Sequence, residues 1–535
     1  MISDSFPARA GIQLFACLQA SVAPLAFIYY LNYYVYHESL FTRYFPDLFP
    51  SPTATNTTAF LHYWLGFELV FYIYFQITYS RLQKIRNPVP LTNMERMEAF
   101  YNSLKTVDDV KAWLVGWFFV DGDNNKKPKF EDLRRKNVAE WFAWAFWNSS
   151  LETVHDNPLN RRGLYQMLST VETHYGIRFP SGYNDAIRCF RLNLDSLNAA
   201  HRPFAFYALI LAGTQLANVI FRWWGLERYG SETKGYYWSN TFEMDLKEGW
   251  GGVLTHSVAK GEPERIVYWH YNPQPLTDRS VPKRTPVVFV HGIGAGIMCY
   301  IEFLFRLLGL QREVFCIELP YVSMRLVEDV PTMQETVREI EQMLESHGHK
   351  QAVFVGHSLG SALLSWVIKN ASKKVAGVVM IDPICFLLHY HDVADLENAH
   401  IAAHLLITYP PQPISLQHII TFLASRELYI SHYISRHFHW HQTAFFVPST
   451  NPNPAISTTS VTPLPQRTTV FLSEHDNLVN SPRVDAYLRS HDVESHIMPN
   501  LDHASFLFSS AWKSRILNKI AEHCDAADAE IASLT

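Results

Sequence analysis

Residues 352–370 read AVFVGHSLGSALLSWVIKN, and this stretch decides the fold. AVFV is a short apolar run of strand type, SALLSWVIKN has helical patterning, and between them GHSLG carries a serine, Ser358, at a sharp turn. A serine held in such a turn has a strained backbone, so the residues two before and two after it must be small; Gly356 and Gly360 supply that room. The five-residue pattern alone would arise by chance in roughly one chain in ten of this size. Its setting between a strand and a helix makes it informative, and names Ser358 as the candidate nucleophile.

Outward from this point the texture is that of a parallel sheet with covering helices. Strands are predicted at 286–290 (PVVFV), 313–319 (EVFCIEL), 351–357 (QAVFVGH), 375–382 (VAGVVMID), 468–474 (TTVFLSE) and 494–500 (ESHIMPN). Their continuous apolar centres suit strands buried on both faces, in an α/β domain.

A serine hydroxyl is a poor nucleophile until a base takes its proton, and the base needs an acid to fix its tautomer. Asp476, in the turn after TTVFLSE, is the candidate acid, with Asp382, after VVMI, as its rival. His503, in NLDHASF beyond the last strand, is the candidate base. HGIGAG after the first of these strands offers the donors an oxyanion requires: the backbone N–H groups of Ile293 and Leu359, with Gly292 and Gly294 allowing close approach. The same loop lacks the complete G-x-G-x-x-G of a dinucleotide site.

An insertion at about 384–466, rich in histidine and aromatic residues, stands where a lid would cover the serine. Within it RHFHWHQ places His437, His439 and His441 on alternate positions, and 448–465 is a Pro, Ser and Thr-rich tract that reads as a loop. On a strand the three histidines could offer metal ligands, but no cysteine or acid partners them, so no metal is expected there. DGDNNK from Asp121 has its glycine at the wrong position for a calcium loop and reads as a polar turn.

From about Trp238 to His523 the chain resembles the α/β-hydrolase superfamily, in particular membrane-tethered fungal and plant members. VFVHGIGAG, ELPYVSMRL, FVGHSLGSALLSW, IDPICFLL, YISRHFHW and FLSEHDNLV carry the likeness. The resemblance implies an eight-stranded, mostly parallel sheet with a helical lid, no cofactor, and acyl transfer to water through an acyl-serine. One departure is Ala504, where many members have glycine after the histidine.

Ahead of this domain, Ile12–Tyr36 is 25 residues without a charge, enough to span a bilayer. Ala59–Tyr79 has similar length but carries Glu68, which reads as a polar residue tolerated in a helix pair rather than as a functional group facing the first helix beside Asn32 or Gln19. RLQKIR (81–86) follows it, whereas the loop between the two stretches is poor in bases, so Arg81 is placed in the cytosol. The expected organisation is an anchor over 1–86 with spans at 12–36 and 59–79, a mostly helical region over 87–240, and a catalytic domain over 241–535. The helical region opens with a capping box at Thr92–Glu95 and holds a third apolar segment, 203–220, ambiguous between a span and a buried helix.

A net charge of -5 with 18% charged residues offers no basic face for nucleic acid. Aromatic residues at 14% suit a protein at a bilayer interface. Six scattered cysteines read as reduced core thiols. The expectation is a serine hydrolase of an intracellular membrane such as the endoplasmic reticulum, cleaving a lipid or other hydrophobic acyl ester. The alternatives are an acyltransferase on the same fold, for which His523 to Asp528 offers a His-x-x-x-x-Asp pattern in the tail, and a scaffold that kept the fold without the chemistry.

Overall fold

A computed structural model of the chain describes residues 6–37, 43–44, 53–85, 89, 91–123, 126–230, 266–273, 283–392, 424–448, 462–476 and 478–534. Its centre is an eight-stranded sheet of β1 (Glu227–Tyr229), β2 (Val267–Tyr271), β3 (Val287–Val290), β4 (Val314–Glu318), β5 (Ala352–His357), β6 (Val375–Ile381), β7 (Thr468–Ser473) and β8 (Glu494–Met498). They lie in the order β8-β7-β6-β5-β3-β4-β2-β1. Strands β3 to β8 pair in parallel, while β2 runs antiparallel to β4 and β1 antiparallel to β2. β3, β4 and β5 are buried along their whole length, which is why they read as unbroken apolar runs rather than alternating ones.

All six predicted strands form, and the sheet gains β1 and β2 at its antiparallel edge. β1 lies inside the region assigned to the helical accessory part, so the sheet begins before the boundary drawn at residue 241. Three residues of the pattern Glu-Arg-Tyr carry no strand signal of their own; pairing with β2 makes the strand. The boundary itself, the stretch 393–423 of the lid insertion and most of the Pro, Ser and Thr-rich tract lie outside the described residues.

The helices that frame the site and its supports are α1 (Phe6–Tyr36), α2 (Thr53–Leu82), α3 (Phe204–Trp223), α4 (Met333–Ser346), α5 (Gly360–Asn370), α6 (Leu428–Arg436) and α7 (Ser510–Leu534). The region between α2 and α3 is mostly helical, as read, with a two-stranded ribbon of Phe118–Val120 and Ile187–Cys189. Its first helix, Asn93–Lys105, starts on the predicted capping box: Glu95 N donates to Thr92 Oγ1 at 3.2 Å, and Thr92 N donates to Glu95 Oε2 at 2.8 Å.

This region shares a core with the insertion after β6. Trp113 and Trp117 donate their indole N–H groups to the carbonyl of His389 at 2.9 and 3.2 Å, and Trp440 donates to the carbonyl of Ala145 at 2.9 Å. At Asp121–Asp123 the chain makes a turn, and no set of metal-ligating side chains gathers there among the described residues.

α1 and α2 extend beyond the predicted 12–36 and 59–79 and pack on each other through Ala26, Tyr29 and Leu65, with Tyr30 Oη donating to the carbonyl of His62 at 2.6 Å. Glu68 is fully buried. Its carboxylate accepts the N–H groups of Phe204 and Ala205, at 2.6 and 3.0 Å, and so caps the start of α3. A proline at the N-cap of α3 provides no capping side chain, and Glu68 supplies one from another helix. Gln19 accepts from Arg202 instead.

Among the described residues, the helix long and apolar enough to cross a membrane by length and mean hydropathy is α3, while α1 and α2 fall short of that measure. The ranking expected from sequence is thereby reversed. Tyrosine, histidine, glutamine and asparagine within α1 and α2 lower their mean hydropathy, whereas α3 is built largely from Leu, Ile, Ala and Phe. Four cysteines are buried thiols as expected, but Cys17 and Cys299 lie at the surface.

Candidate active site

β5 ends at His357, and the chain reverses at Ser358 with φ 52° before α5 begins. The turn is held from both sides: Ser358 N donates to the carbonyl of Ile381 on β6 at 3.0 Å, and Ser361 Oγ donates to the carbonyl of Ser358 at 2.6 Å. The glycines are needed for space. A Cβ on Gly360 would lie 2.4 Å from the carbonyl oxygen of Val290, and one on Gly356 would lie 3.0 Å from the backbone of Gly360. Gly292 is equally confined, 2.8 Å from Ser358 Cβ, but the Cβ position of Gly294 is open. There the backbone angle, φ 156°, favours glycine rather than the close approach expected from sequence.

Three parallel strands bring the other groups to the same end of the sheet. Asp476 follows β7; its Oδ1 accepts from the N–H groups of Leu478 and Val479 at 2.8 and 3.0 Å. His503 follows β8, with Nδ1 2.7 Å from Asp476 Oδ2 and Nε2 2.9 Å from Ser358 Oγ. A carboxylate can only accept, so Nδ1 carries the proton toward Asp476 and the neutral ring presents Nε2 as acceptor to the serine hydroxyl. Ser358 and His503 are buried, and the Asp476 carboxyl is inaccessible to solvent. Burial alone would lower the His503 pKa. The negative charge and hydrogen bond of Asp476, with Asp382 adding, outweigh it and raise the value above that of an ordinary histidine.

Asp382 stands close to this pair without replacing Asp476. Its Oδ1 accepts from Ser473 N at 2.7 Å, and its Oδ2 accepts from Ser473 Oγ at 3.0 Å and from Ala504 N at 3.1 Å. It thus ties the end of β7 to the residue after His503, which has φ 65°. Complete burial, and then the charge of Asp476, push its pKa up.

Ile293 and Leu359 lie in the two turns that meet here, and neither N–H group donates within a turn, loop or cap among the described residues. The loop bearing Ile293 is braced by a relay that sequence reasoning missed. Gly292 N donates to Tyr300 Oη at 3.1 Å, and Tyr300 Oη lies 2.7 Å from His357 Nδ1. His291 bridges from Gly292 O, 2.7 Å away, to the N–H of Leu319, 2.9 Å away. Histidines beside the two motif glycines were the available signal; Tyr300 had none.

Other sequence candidates sit elsewhere. His437, His439 and His441 are not on a strand; the first two precede the short helix Trp440–Thr443 and His441 lies within it, and His439 Nδ1 lies 3.3 Å from Asn148 Nδ2. His523 is occupied with Thr469 at 2.9 Å, and Asp528 accepts from Thr285 N and Arg312 at 2.7 and 2.8 Å, so the His-x-x-x-x-Asp pattern forms part of how α7 is fastened to the sheet.

Residues 287–513 match the family model described as the alpha/beta hydrolase family. No curated protein matches the chain. Solved structures similar to part of the chain include one from work on carboxylesterases of the thaumarchaeon Nitrososphaera gargenis, at 14% identity, covering 50% of this chain and 98% of that one, with a TM-score of 0.34. A monoacylglycerol lipase from Paleococcus ferrophilus has 14% identity over 48% of this chain and 99% of its own, with a TM-score of 0.30. A proline iminopeptidase from Mycobacterium smegmatis has 17% identity over 49% and 97%, with a TM-score of 0.33. Similarity at this level says nothing about substrate.

Proposed function

Since residues 287–513 belong to the α/β-hydrolase superfamily, we propose that the chain is a membrane-attached serine hydrolase that cleaves a hydrophobic acyl ester through an acyl-serine intermediate. The observation that carries this reading is the unbroken line of hydrogen bonds from Ser358 Oγ through His503 to Asp476.

In this reading Ser358 Oγ attacks the ester carbonyl while His503 Nε2 takes the hydroxyl proton. The imidazolium is stabilised by Asp476, and the oxyanion is received by the N–H groups of Ile293 and Leu359, each such donor worth about 3 kcal/mol. Collapse expels the alcohol, which takes the proton from His503. Water then attacks the acyl-serine by the same route and the acid leaves. Asp382 holds the ends of β7 and the His503 loop together and does not touch the reacting atoms.

An apolar acyl group is favoured by what lies beside the acid. Ile384, Phe386 and Leu387 after β6 face Leu478, Val479 and Val484 after Asp476 across a small cavity that Tyr390, Asp392, Asn480 and Arg483 also line. Ile384 N donates to Ser361 Oγ at 3.0 Å, which keeps this wall within reach of the nucleophile turn. Membrane attachment is supported by the outward faces of α1, α2 and α3, where Phe27, Phe60, Val70, Leu209 and Leu216 are exposed.

The test is hydrolysis by the detergent-solubilised full chain of an ester series of increasing acyl length, with carbonate extraction of the parent membranes. Acid release that grows with chain length and vanishes in Ser358→Ala is expected, with the protein retained in the carbonate pellet. Equal release by wild type and Ser358→Ala would overturn the chemistry, and full release into the carbonate supernatant would overturn the attachment.

A further inference from the structure

A second cluster of reactive side chains lies at the other end of the sheet from Ser358. His270 is at the end of antiparallel β2, Glu313 immediately precedes β4, and His347 and His349 sit in the His-Gly-His turn between α4 and β5. Gly348 has φ 74°, and the reversal it permits brings the histidines on either side toward one carboxylate. Ligand atoms of His270, Glu313 and His347 all lie within 4.8 Å of one another. His270 Nε2 is 2.7 Å from Glu313 Oε1, and His349 Nε2 is 2.7 Å from Glu313 Oε2.

We propose that His270, Glu313 and His347 form a binding site for a divalent cation of the zinc class, with His349 orienting the glutamate. Two imidazoles and a carboxylate are the ligand types a borderline cation such as Zn2+ prefers, and three protein ligands leave a fourth position for water. Zinc bonds of about 2.1 Å in a tetrahedral site require ligand atoms about 3.4 Å apart. The cluster therefore closes on a cation by separating His270 from Glu313 slightly and drawing His347 inward. The proton that His270 Nε2 directs at Glu313 passes by way of solvent to Nδ1, so the ring stays neutral as the metal takes its place.

The surroundings fit this role. His349 engages the second carboxylate oxygen and leaves Oε1 for the metal, and Tyr268 Oη, 3.3 Å from His347 Nε2, steadies that ring. Phe315 stacks on His270 with ring centroids 4.7 Å apart, and Tyr229 lies edge-on to both His270 and His347. These aromatic rings line one side of the site, while Glu313 and His347 stay partly open to solvent. A bound cation would clamp the antiparallel edge of the sheet to β4 and to the turn before β5, far from the nucleophile, so the site is structural rather than part of ester cleavage.

The full-length chain, purified in detergent and stripped with a chelator, is titrated calorimetrically with Zn2+ and separately with Co2+, whose visible absorption reports tetrahedral ligation. One equivalent is expected to bind, with affinity falling by more than about tenfold in His347→Ala and unchanged in His503→Ala. His347→Ala leaves the His270–Glu313–His349 hydrogen bonds in place; if it nevertheless lowers the melting temperature of the metal-free protein, His270→Gln, which keeps a donor to Glu313, takes its place. Absence of saturable binding, or binding and Co2+ absorption that survive these substitutions, would overturn the proposal.

Discussion

The catalytic sheet and the three long helices α1, α2 and α3 are built on opposite plans. In the sheet the apolar side chains turn inward, with Val287, Val353 and Val379 wholly excluded from solvent. In the helices Leu209 is 72% exposed and Trp223 is 83% exposed, while Glu68, Gln19 and Arg202 are turned inward and bonded to one another's helices. Water drives the first arrangement. The second suits a hydrocarbon surround, where polar groups find partners inside and apolar ones face out.

The two plans meet at α6, in the insertion after β6. Glu427 caps α6 by accepting from Tyr429 N and Ile430 N at 3.1 and 2.9 Å, and it also accepts from Tyr207 of α3 at 2.7 Å. Tyr74 of α2 bonds Tyr429, and Tyr321 after β4 packs on Tyr433 at 5.0 Å. The insertion is thereby fastened to the helices proposed to lie in the membrane.

The largest expected effect breaks the sheet side of the comparison without disturbing its packing. Asp476→Asn keeps the volume but offers His503 an amide in place of a carboxylate, and kcat should fall by about 10^4-fold with the melting temperature little changed. A drop of less than tenfold would move the acid's role to Asp382. Next is Gly360→Ala, where the added methyl meets the Val290 carbonyl oxygen; chemical denaturation should show a loss of about 3 kcal/mol or failure to fold.

A smaller effect sharpens the electrostatics. His503 must be neutral to accept the serine proton, and its pKa is raised by Asp476 and Asp382 against the opposing effect of burial. Activity should therefore fall as pH drops through a midpoint above the ordinary histidine value of about 6.5. Asp382→Asn removes one of the raising charges and should move that limb of the kcat/KM profile to lower pH; an unmoved limb would show that Asp382 carries no charge near His503. The smallest effect on stability is expected on the helices. Replacing Leu209, Leu216 and Val219 together by serine should leave the denaturation midpoint of the catalytic domain within about 0.5 kcal/mol of wild type while releasing protein from carbonate-washed membranes. A large loss of stability with unchanged membrane retention would mean that this face packs on protein.

What the sequence revealed, and what it hid, follows the same division. The strands β3 to β8 were legible because burial on both faces leaves continuous apolar runs, and Gly356 and Gly360 because a tight turn excludes side chains. β1 was not, since an edge strand takes its structure from a neighbour rather than from a pattern of its own; β2, paired on both sides with β1 and β4, went unread although VYWHY is of strand type. The chain order of Ser358, Asp476 and His503 could be read from strand ends, whereas the bracing by Tyr300 and Asp382 depends on contacts between distant segments. Glu68 was noticed as a polar residue in an apolar stretch, but its partner is the start of a helix more than a hundred residues later. The His-Gly-His turn is visible in the sequence; His270 and Glu313, which give it meaning, come from other strands.

The measurement that bears most directly on the account is intact-mass analysis of the full chain after exposure to a fluorophosphonate, for wild type, His503→Ala and Ser358→Ala. One phosphonyl adduct mapped to Ser358 in wild type, strongly slowed in His503→Ala and absent in Ser358→Ala, is the predicted result. A folded wild type that stays unmodified, or an adduct that persists in Ser358→Ala, would contradict it.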